Sequence, residues 1–165
     1  MRKTHRKKTT ETNNKMLKFT SGSEAETENF AKNFAKDIRC GDVITLKGRL
    51  GAGKTVFCKG LAKGLGIKEE ITSPTFTIMN IYNGERNLCH IDAYRLKSGE
   101  EAFGAGLCDY IGNKDYVCLI EWAENIASVL PDNVISVSIQ YLGENSRDAS
   151  AQEGRKGADG EIDAQ

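Results

Sequence analysis

Long hydrophobic runs are missing from this chain. Nowhere do the ~18–20 consecutive apolar residues of a membrane-spanning helix occur, which excludes an integral membrane protein of that kind. The N-terminus is basic but lacks the apolar stretch of a secretory signal, so export is not expected. Cys40, Cys58, Cys89, Cys108 and Cys118 are odd in number and form no C-x-x-C pair. A disulfide scaffold and a thiolate zinc site are therefore disfavoured, a reducing cytoplasm is the expected compartment, and the cysteines read as buried apolar fillers. Internal repeats are lacking as well. Aromatic residues make up only 7 % and apolar residues 39 % of 165 positions, enough for one modest core and one ordinary domain. What the chain has in excess is glycine, 17 residues, and the question is where they fall.

Net charge is zero, with 23 basic and 23 acidic side chains, but it is unevenly spread. Residues 1–18 carry Arg2, Lys3, Arg6, Lys7, Lys8, Lys15 and Lys18 against Glu11 alone. Residues 144–165 carry six acidic side chains against Arg147, Arg155 and Lys156, and only Ile162 as a large apolar group. Neither end can bury enough surface to offset the entropy of ordering it, so both read as tails without structure around a domain at 19–143. The basic tail is either a solvated extension or a weak electrostatic contact for RNA.

Between the tails, helix and strand signals alternate. Ser23-Glu24-Ala25-Glu26 matches a capping box, and Phe30, Ala31, Phe34, Ala35 and Ile38 recur at helical spacing, with Gly41 past the end. Val43–Leu46 reads as a buried strand, 56–65 as a helix closed by Gly66, and 76–82 with 87–92 as a hairpin turning at Asn83-Gly84. Residues 98–112 read as two helical pieces broken by Gly104 and Gly106; Tyr116–Ile120 and Asn133–Tyr141 read as further strands. Strands separated by helices imply a layered α/β domain with a mostly parallel sheet.

Part of the glycine excess sits in Gly48-Arg49-Leu50-Gly51-Ala52-Gly53-Lys54-Thr55, which satisfies G-x-x-x-x-G-K-[ST] between a strand and a helix. Glycines there let successive backbone N–H groups, over Leu50, Gly51, Ala52 and Gly53, turn inward around phosphate oxygens, and the helix adds the positive end of its dipole. Lys54 can reach the β- and γ-phosphates, and the Thr55 hydroxyl can ligate Mg²⁺. A P-loop NTPase-like fold with an inserted β-hairpin follows.

Such a site needs an acid to hold metal or water, and two strand-terminal carboxylates compete. Glu121 ends the longer apolar run and is the first choice for metal contact; Asp92 is the better candidate for orienting water or supporting the metal. Guanine specificity finds no support, because Asn113-Lys114-Asp115-Tyr116 fails N-K-x-D and Asp92-Ala93-Tyr94-Arg95 fails D-x-x-G. ATP is therefore preferred. Ser73-Pro74-Thr75 is either a switch segment near the γ-phosphate or a plain loop-to-strand boundary. His90 serves either a structural hydrogen bond or catalysis. Arg95 either neutralises phosphate charge, grips a partner or forms a surface ion pair. Trp122, beside Glu121, is core or functional.

Taken in order, Gly48–Thr55, Ser73-Pro74-Thr75-Phe76-Thr77, His90-Ile91-Asp92-Ala93-Tyr94-Arg95-Leu96 and Ile120-Glu121-Trp122 with Glu124 resemble the TsaE (YjeE) family of small bacterial P-loop ATPases, over roughly residues 20–142. The resemblance implies a part in forming N6-threonylcarbamoyladenosine at position 37 of tRNA. It also implies ATP and Mg²⁺ as ligands, the TsaB–TsaD heterodimer as partner, only indirect or weak contact with tRNA, and no membrane. By the same resemblance Thr55 and Glu121 are Mg²⁺ ligands, Asp92 supports hydrolysis, Ser73, Thr75 and Trp122 are functional, and Glu24 lies near the nucleotide base. The family continues past the last strand with more strand-like sequence, where this chain turns small and polar from Gly143, although Arg147 is available to the base pocket. No unambiguous arginine finger is visible, so slow, partner-stimulated hydrolysis is expected. Two other readings compete: a small-molecule kinase, although 98–112 lacks the arginines of a lid, and a nucleotide-dependent switch for which hydrolysis is incidental.

Overall fold

The computed structural model describes residues 16–48, 53–141 and 147–155, with backbone alone at 16–21, 140–141 and 147–155. Seven strands form one sheet: β1 (Met16–Ser21), β2 (Val43–Gly48), β3 (Met79–Tyr82), β4 (Asn87–Asp92), β5 (Tyr116–Glu121), β6 (Asn133–Tyr141) and β7 (Arg147–Arg155). Their order is β1-β7-β6-β2-β5-β4-β3. The four central strands, β6, β2, β5 and β4, run parallel; β3 is antiparallel on one edge, and β7 with β1 on the other. Three helices accompany them, α1 (Glu24–Phe34), α2 (Lys54–Gly64) and α3 (Gly99–Gly104), with 3₁₀ turns at Ala35–Asp37, Leu107–Asp109 and Ala123–Val129.

Strand parity assigns the core. Ile44 and Leu46 of β2, Val117 and Leu119 of β5, and Leu88 of β4 pack with α1 and α2 on one face; Val43, Cys89, Ile91, Cys118 and Ile120 pack with Ala102, Leu107 and Ile126 on the other. Because side chains alternate along a strand, His90, Asp92 and Glu121 fall on the α2 face. Helix α1 starts with a variant of the capping box: Ser23 Oγ accepts from Glu26 N at 3.3 Å, while Glu26 Oε2 accepts from Gly22 N, one residue before the cap, at 2.7 Å. It then lies unusually close to α2. A Cβ on Gly60 would stand 2.3 Å from Glu28 O, and one on Gly64 2.5 Å from Ala35 Cβ, so glycine alone fits at these two turns of α2.

The C-terminal ends of both helices are tied together by Arg86, from the β3–β4 loop. Its guanidinium donates to Ala35 O at 2.6 Å, to Ile38 O, and to Gly64 O at 2.9 Å. Ala35 O also accepts from Ile38 N at 3.3 Å in the turn after α1, and the cation suits the negative dipole ends of the helices.

Three expectations need correction. The hairpin's first strand starts at Met79 rather than 76, because 75–78 form a turn whose Ile78 has φ +67°, with Ile78 N donating to Pro74 O at 2.6 Å. The segment 144–165, expected to lack structure, contains β7, which pairs with β6 over Asn133–Tyr141. Residues 16–18, assigned to the basic tail, begin β1 and pair with β7. Backbone ladders between strands need no large side chains, so the composition of these segments concealed them. The rest of both tails lies outside the described residues. Among the described residues no helix is long and apolar enough to cross a membrane.

Candidate functional site

Strand β2 delivers the glycine-rich loop between its two neighbours β5 and β6, and α2 departs from that loop. Leu50, Gly51 and Ala52 lie outside the described residues. Gly53 has φ +96°, a left-handed conformation open to glycine, and it caps α2 without a side chain of its own. The orphan N–H groups at this end thus meet no capping side chain, as an anion site requires. Lys54 folds back so that Nζ donates to Gly48 O at 2.7 Å, and Thr55 stands exposed in the same turn.

Glu121 ends β5 beside this loop, in register with Leu46 of β2 on one side and with Asp92 of β4 on the other. The two acids are therefore cross-strand neighbours, with Glu121 one strand nearer the loop. Glu121 Oε2 is 4.0 Å from Lys54 Nζ. Its Oε1 is 3.0 Å from His90 Nε2, and that nitrogen is 4.0 Å from Cys58 Sγ of α2. An ionised carboxylate only accepts, so Nε2 carries the hydrogen and donates to Glu121. His90 is 1 % exposed, and its Nδ1 has no hydrogen-bond partner among the described residues. Burial, and then the nearby Glu121 charge, push the Cys58 thiol well above its ordinary range.

Asp92 is held differently. Its Oδ2 accepts from Thr75 Oγ1 at 3.0 Å and its Oδ1 from Tyr94 N at 3.0 Å, and Thr75 Oγ1 is 2.8 Å from Ser73 Oγ. The backbone N–H of Asp92 donates to Ile78 O at 2.9 Å, so the strained turn is fastened to the strand end that carries the acid. Trp122 adopts φ +56° directly after Glu121, is 41 % exposed, meets Tyr94 at a tilt with 5.1 Å between ring centroids, and has Lys54 Nζ 5.9 Å from its ring centroid. Positive φ is uncommon outside glycine, and here it turns the indole back towards the lysine.

One connected set therefore contains Lys54, Ser73, Thr75, His90, Asp92, Glu121 and Trp122, all singled out from the sequence. Arg95 stands apart at the surface, stacked 4.8 Å over Phe76, which is 83 % exposed. Glu24 lies exposed in the first turn of α1. Sequence reasoning missed one contributor, Tyr94, and did not place Cys58 at the border of the set. Cys58 stands four residues after Lys54, one helical turn on, which is the signal that could have placed it beneath the lysine.

A parallel sheet with a glycine-rich loop between central strands, a helix springing from that loop and acids at the neighbouring strand ends define the class: a P-loop NTPase-like α/β protein. A family model described as "Threonylcarbamoyl adenosine biosynthesis protein TsaE" matches residues 21–149. The chain is 42 % identical over 132 residues to the tRNA threonylcarbamoyladenosine biosynthesis protein TsaE of Treponema pallidum, covering 80 % of this chain and 97 % of that one. It is 43 % identical over 135 residues to the protein of the same name from Bacillus subtilis, covering 81 % and 84 %. The crystal structure of Bacillus subtilis YdiB superposes with a TM-score of 0.70 at 38 % identity, covering 86 % of this chain and 87 % of that one. This chain belongs to the TsaE family.

Proposed function

We propose that this protein binds and hydrolyses ATP with Mg²⁺ as the energy-consuming component of tRNA N6-threonylcarbamoyladenosine formation, acting on a TsaB–TsaD pair in the cytoplasm. The observation that carries the reading is the convergence of Lys54, Glu121 and Asp92 at one end of the sheet, where the glycine-rich loop leaves β2. The residues present fit the ligands. The head of α2 has no capping side chain, Lys54 lies across the loop's base, and Thr55 and Glu121 supply oxygen donors of the kind Mg²⁺ takes. Bound Mg²⁺ supplies charge neutralisation at the β- and γ-phosphate oxygens.

The chain's own residues do the rest by position. Backbone N–H groups from Leu50 to Gly53 and at the start of α2 cradle the phosphates, and Lys54 leaves Gly48 O to pair with them. Glu121 and Thr55 hold the metal. His90 fixes the Glu121 carboxylate through Nε2–H, so it cannot rotate freely. Asp92, tethered by Thr75 and Tyr94 N, orients water for in-line attack, and the Ser73–Ile78 turn sets that tether. Glu24 borders the base, while Arg95 and Trp122 face the partner. Catalysis is by positioning and charge, and the partner stimulates it.

The test is equilibrium ATP binding and turnover of the full chain beside Lys54→Ala, followed by tRNA nucleoside analysis with TsaB and TsaD present. The expected result is loss of affinity by about 10²-fold or more on removing the lysine. Unchanged affinity would overturn the reading.

A further inference from the structure

The contact between α2 and the β4–β5 strand ends holds a donor set that phosphate chemistry does not call for. Cys58 Sγ, His90 Nε2 and a Glu121 carboxylate oxygen all lie within 4.8 Å of one another, the closer pairs at 3.0 and 4.0 Å. Ligands bonded tetrahedrally at 2.0–2.3 Å stand about 3.3–3.8 Å apart, so shifts of a few tenths of an ångström, up to about 1 Å for the widest pair, would seat all three on one ion. Mg²⁺ is an unsuitable occupant, since it demands near-octahedral oxygen ligands, whereas thiolate with imidazole selects zinc and similar ions. The three groups come from α2, β4 and β5, so packing already fixes them relative to one another. Two, Cys58 and His90, are almost wholly buried; Glu121 reaches from them towards Lys54.

We propose that Cys58, His90 and Glu121 form a reversible binding site for a thiophilic divalent cation of the zinc class, and that its occupation inhibits the nucleotide site by capturing Glu121. The second half rests on the role proposed above for Glu121; the first does not. Atoms balance simply. The Cys58 thiol loses its proton to solvent as the S–metal bond forms, and the His90 hydrogen moves from Nε2 to the vacant Nδ1 as Nε2 becomes a ligand. One proton is released per ion, and water completes the coordination. Among the described residues Nδ1 has no carboxylate or carbonyl to support it, which sets the affinity below that of a structural zinc site and keeps binding reversible.

The experiment titrates the full chain with Zn²⁺ against a chromophoric chelator, and separately with Co²⁺ while recording the thiolate-to-cobalt charge-transfer absorption. Wild type should take up one Zn²⁺ at this site and show the band. Cys58→Ser, or Cys58→Val if the serine variant loses its circular dichroism signal, should abolish the band and weaken Zn²⁺ at least tenfold. Neither should alter Mg²⁺-dependent ATP binding. Zn²⁺ should then inhibit turnover of wild type at concentrations that leave the folded Cys58 variant active. An absent band, or a band and affinity that survive loss of Cys58, would overturn the site. If Glu121→Ala retained ATP turnover while wild type still showed the band, the site would stand and the inhibitory half would fall.

Discussion

Asp92 and Glu121 are cross-strand partners on adjacent parallel strands, yet their surroundings are unlike. Asp92 has each carboxylate oxygen engaged by a neutral donor, one from a loop hydroxyl and one from the backbone two residues on. Glu121 is engaged by a buried imidazole and the P-loop lysine, with a thiol just beyond. The first is an acid whose direction is fixed by neutral donors; the second is an acid whose charge faces the P-loop cation. Two carboxylates one strand apart can thus divide the work of orientation and charge.

The largest expected effect tests that division directly. Glu121→Ala should lower kcat of the partner-stimulated reaction by about 10²–10³-fold and raise the Mg²⁺ concentration needed for half-maximal ATP binding. Asp92→Ala should lower kcat by about 10²-fold with that Mg²⁺ requirement unchanged. Steady-state turnover across a Mg²⁺ series measures both. If the two variants shifted the Mg²⁺ requirement equally, the contrast between the acids would be lost.

A control distant from both acids follows in size. Removing the Arg86 guanidinium takes a charged donor from the carbonyls of Ala35, Ile38 and Gly64 at the meeting of two helix ends. Arg86→Ala should cost about 2 kcal/mol and lower Tm by about 4–8 °C by calorimetry, while kcat per folded molecule is unchanged. A fall in kcat together with Tm would mean that the site depends on general rigidity rather than on its own contacts. Smaller still is Thr75→Val, which deletes one hydrogen bond to Asp92 at nearly constant shape. A loss of about 1 kcal/mol corresponds to roughly fivefold in kcat, with ATP affinity unaffected.

Much of this contrast was legible in the chain itself. Two apolar runs each ending in a carboxylate placed Asp92 and Glu121 at strand ends. The glycine-rich octapeptide located α2. What stayed hidden was tertiary. Cys58 looked like filler because its neighbours lie 32 and 63 residues further along the chain. Arg86 carried no sequence signal because its acceptors are backbone oxygens, which no side-chain pattern records. Strand β7 was invisible because its pairing is carried by backbone groups, and the start of β3 was displaced by Ile78, whose positive φ is foreign to β-branched residues.

The smallest prediction reads the Glu121 field through its neighbour. Burial, and secondarily Glu121, hold the Cys58 thiol protonated in the folded chain. The unfolded thiol ionises from about pH 8.5 upward, so above that pH the unfolded state binds fewer protons and folding stability falls as pH rises; below it this contribution is flat. Comparing urea unfolding of wild type and Cys58→Ser should isolate a relative loss of about 0.8 kcal/mol in wild type by pH 9, growing further into alkali. Other buried cysteines titrate in both proteins and drop out of the difference. Glu121→Gln should bring the point at which the folded thiol ionises to lower pH, yet leave it above the unfolded value, since burial is the larger cause; Asp92→Asn should not move it. Equal shifts from the two substitutions would mean that the acids share one electrostatic environment after all.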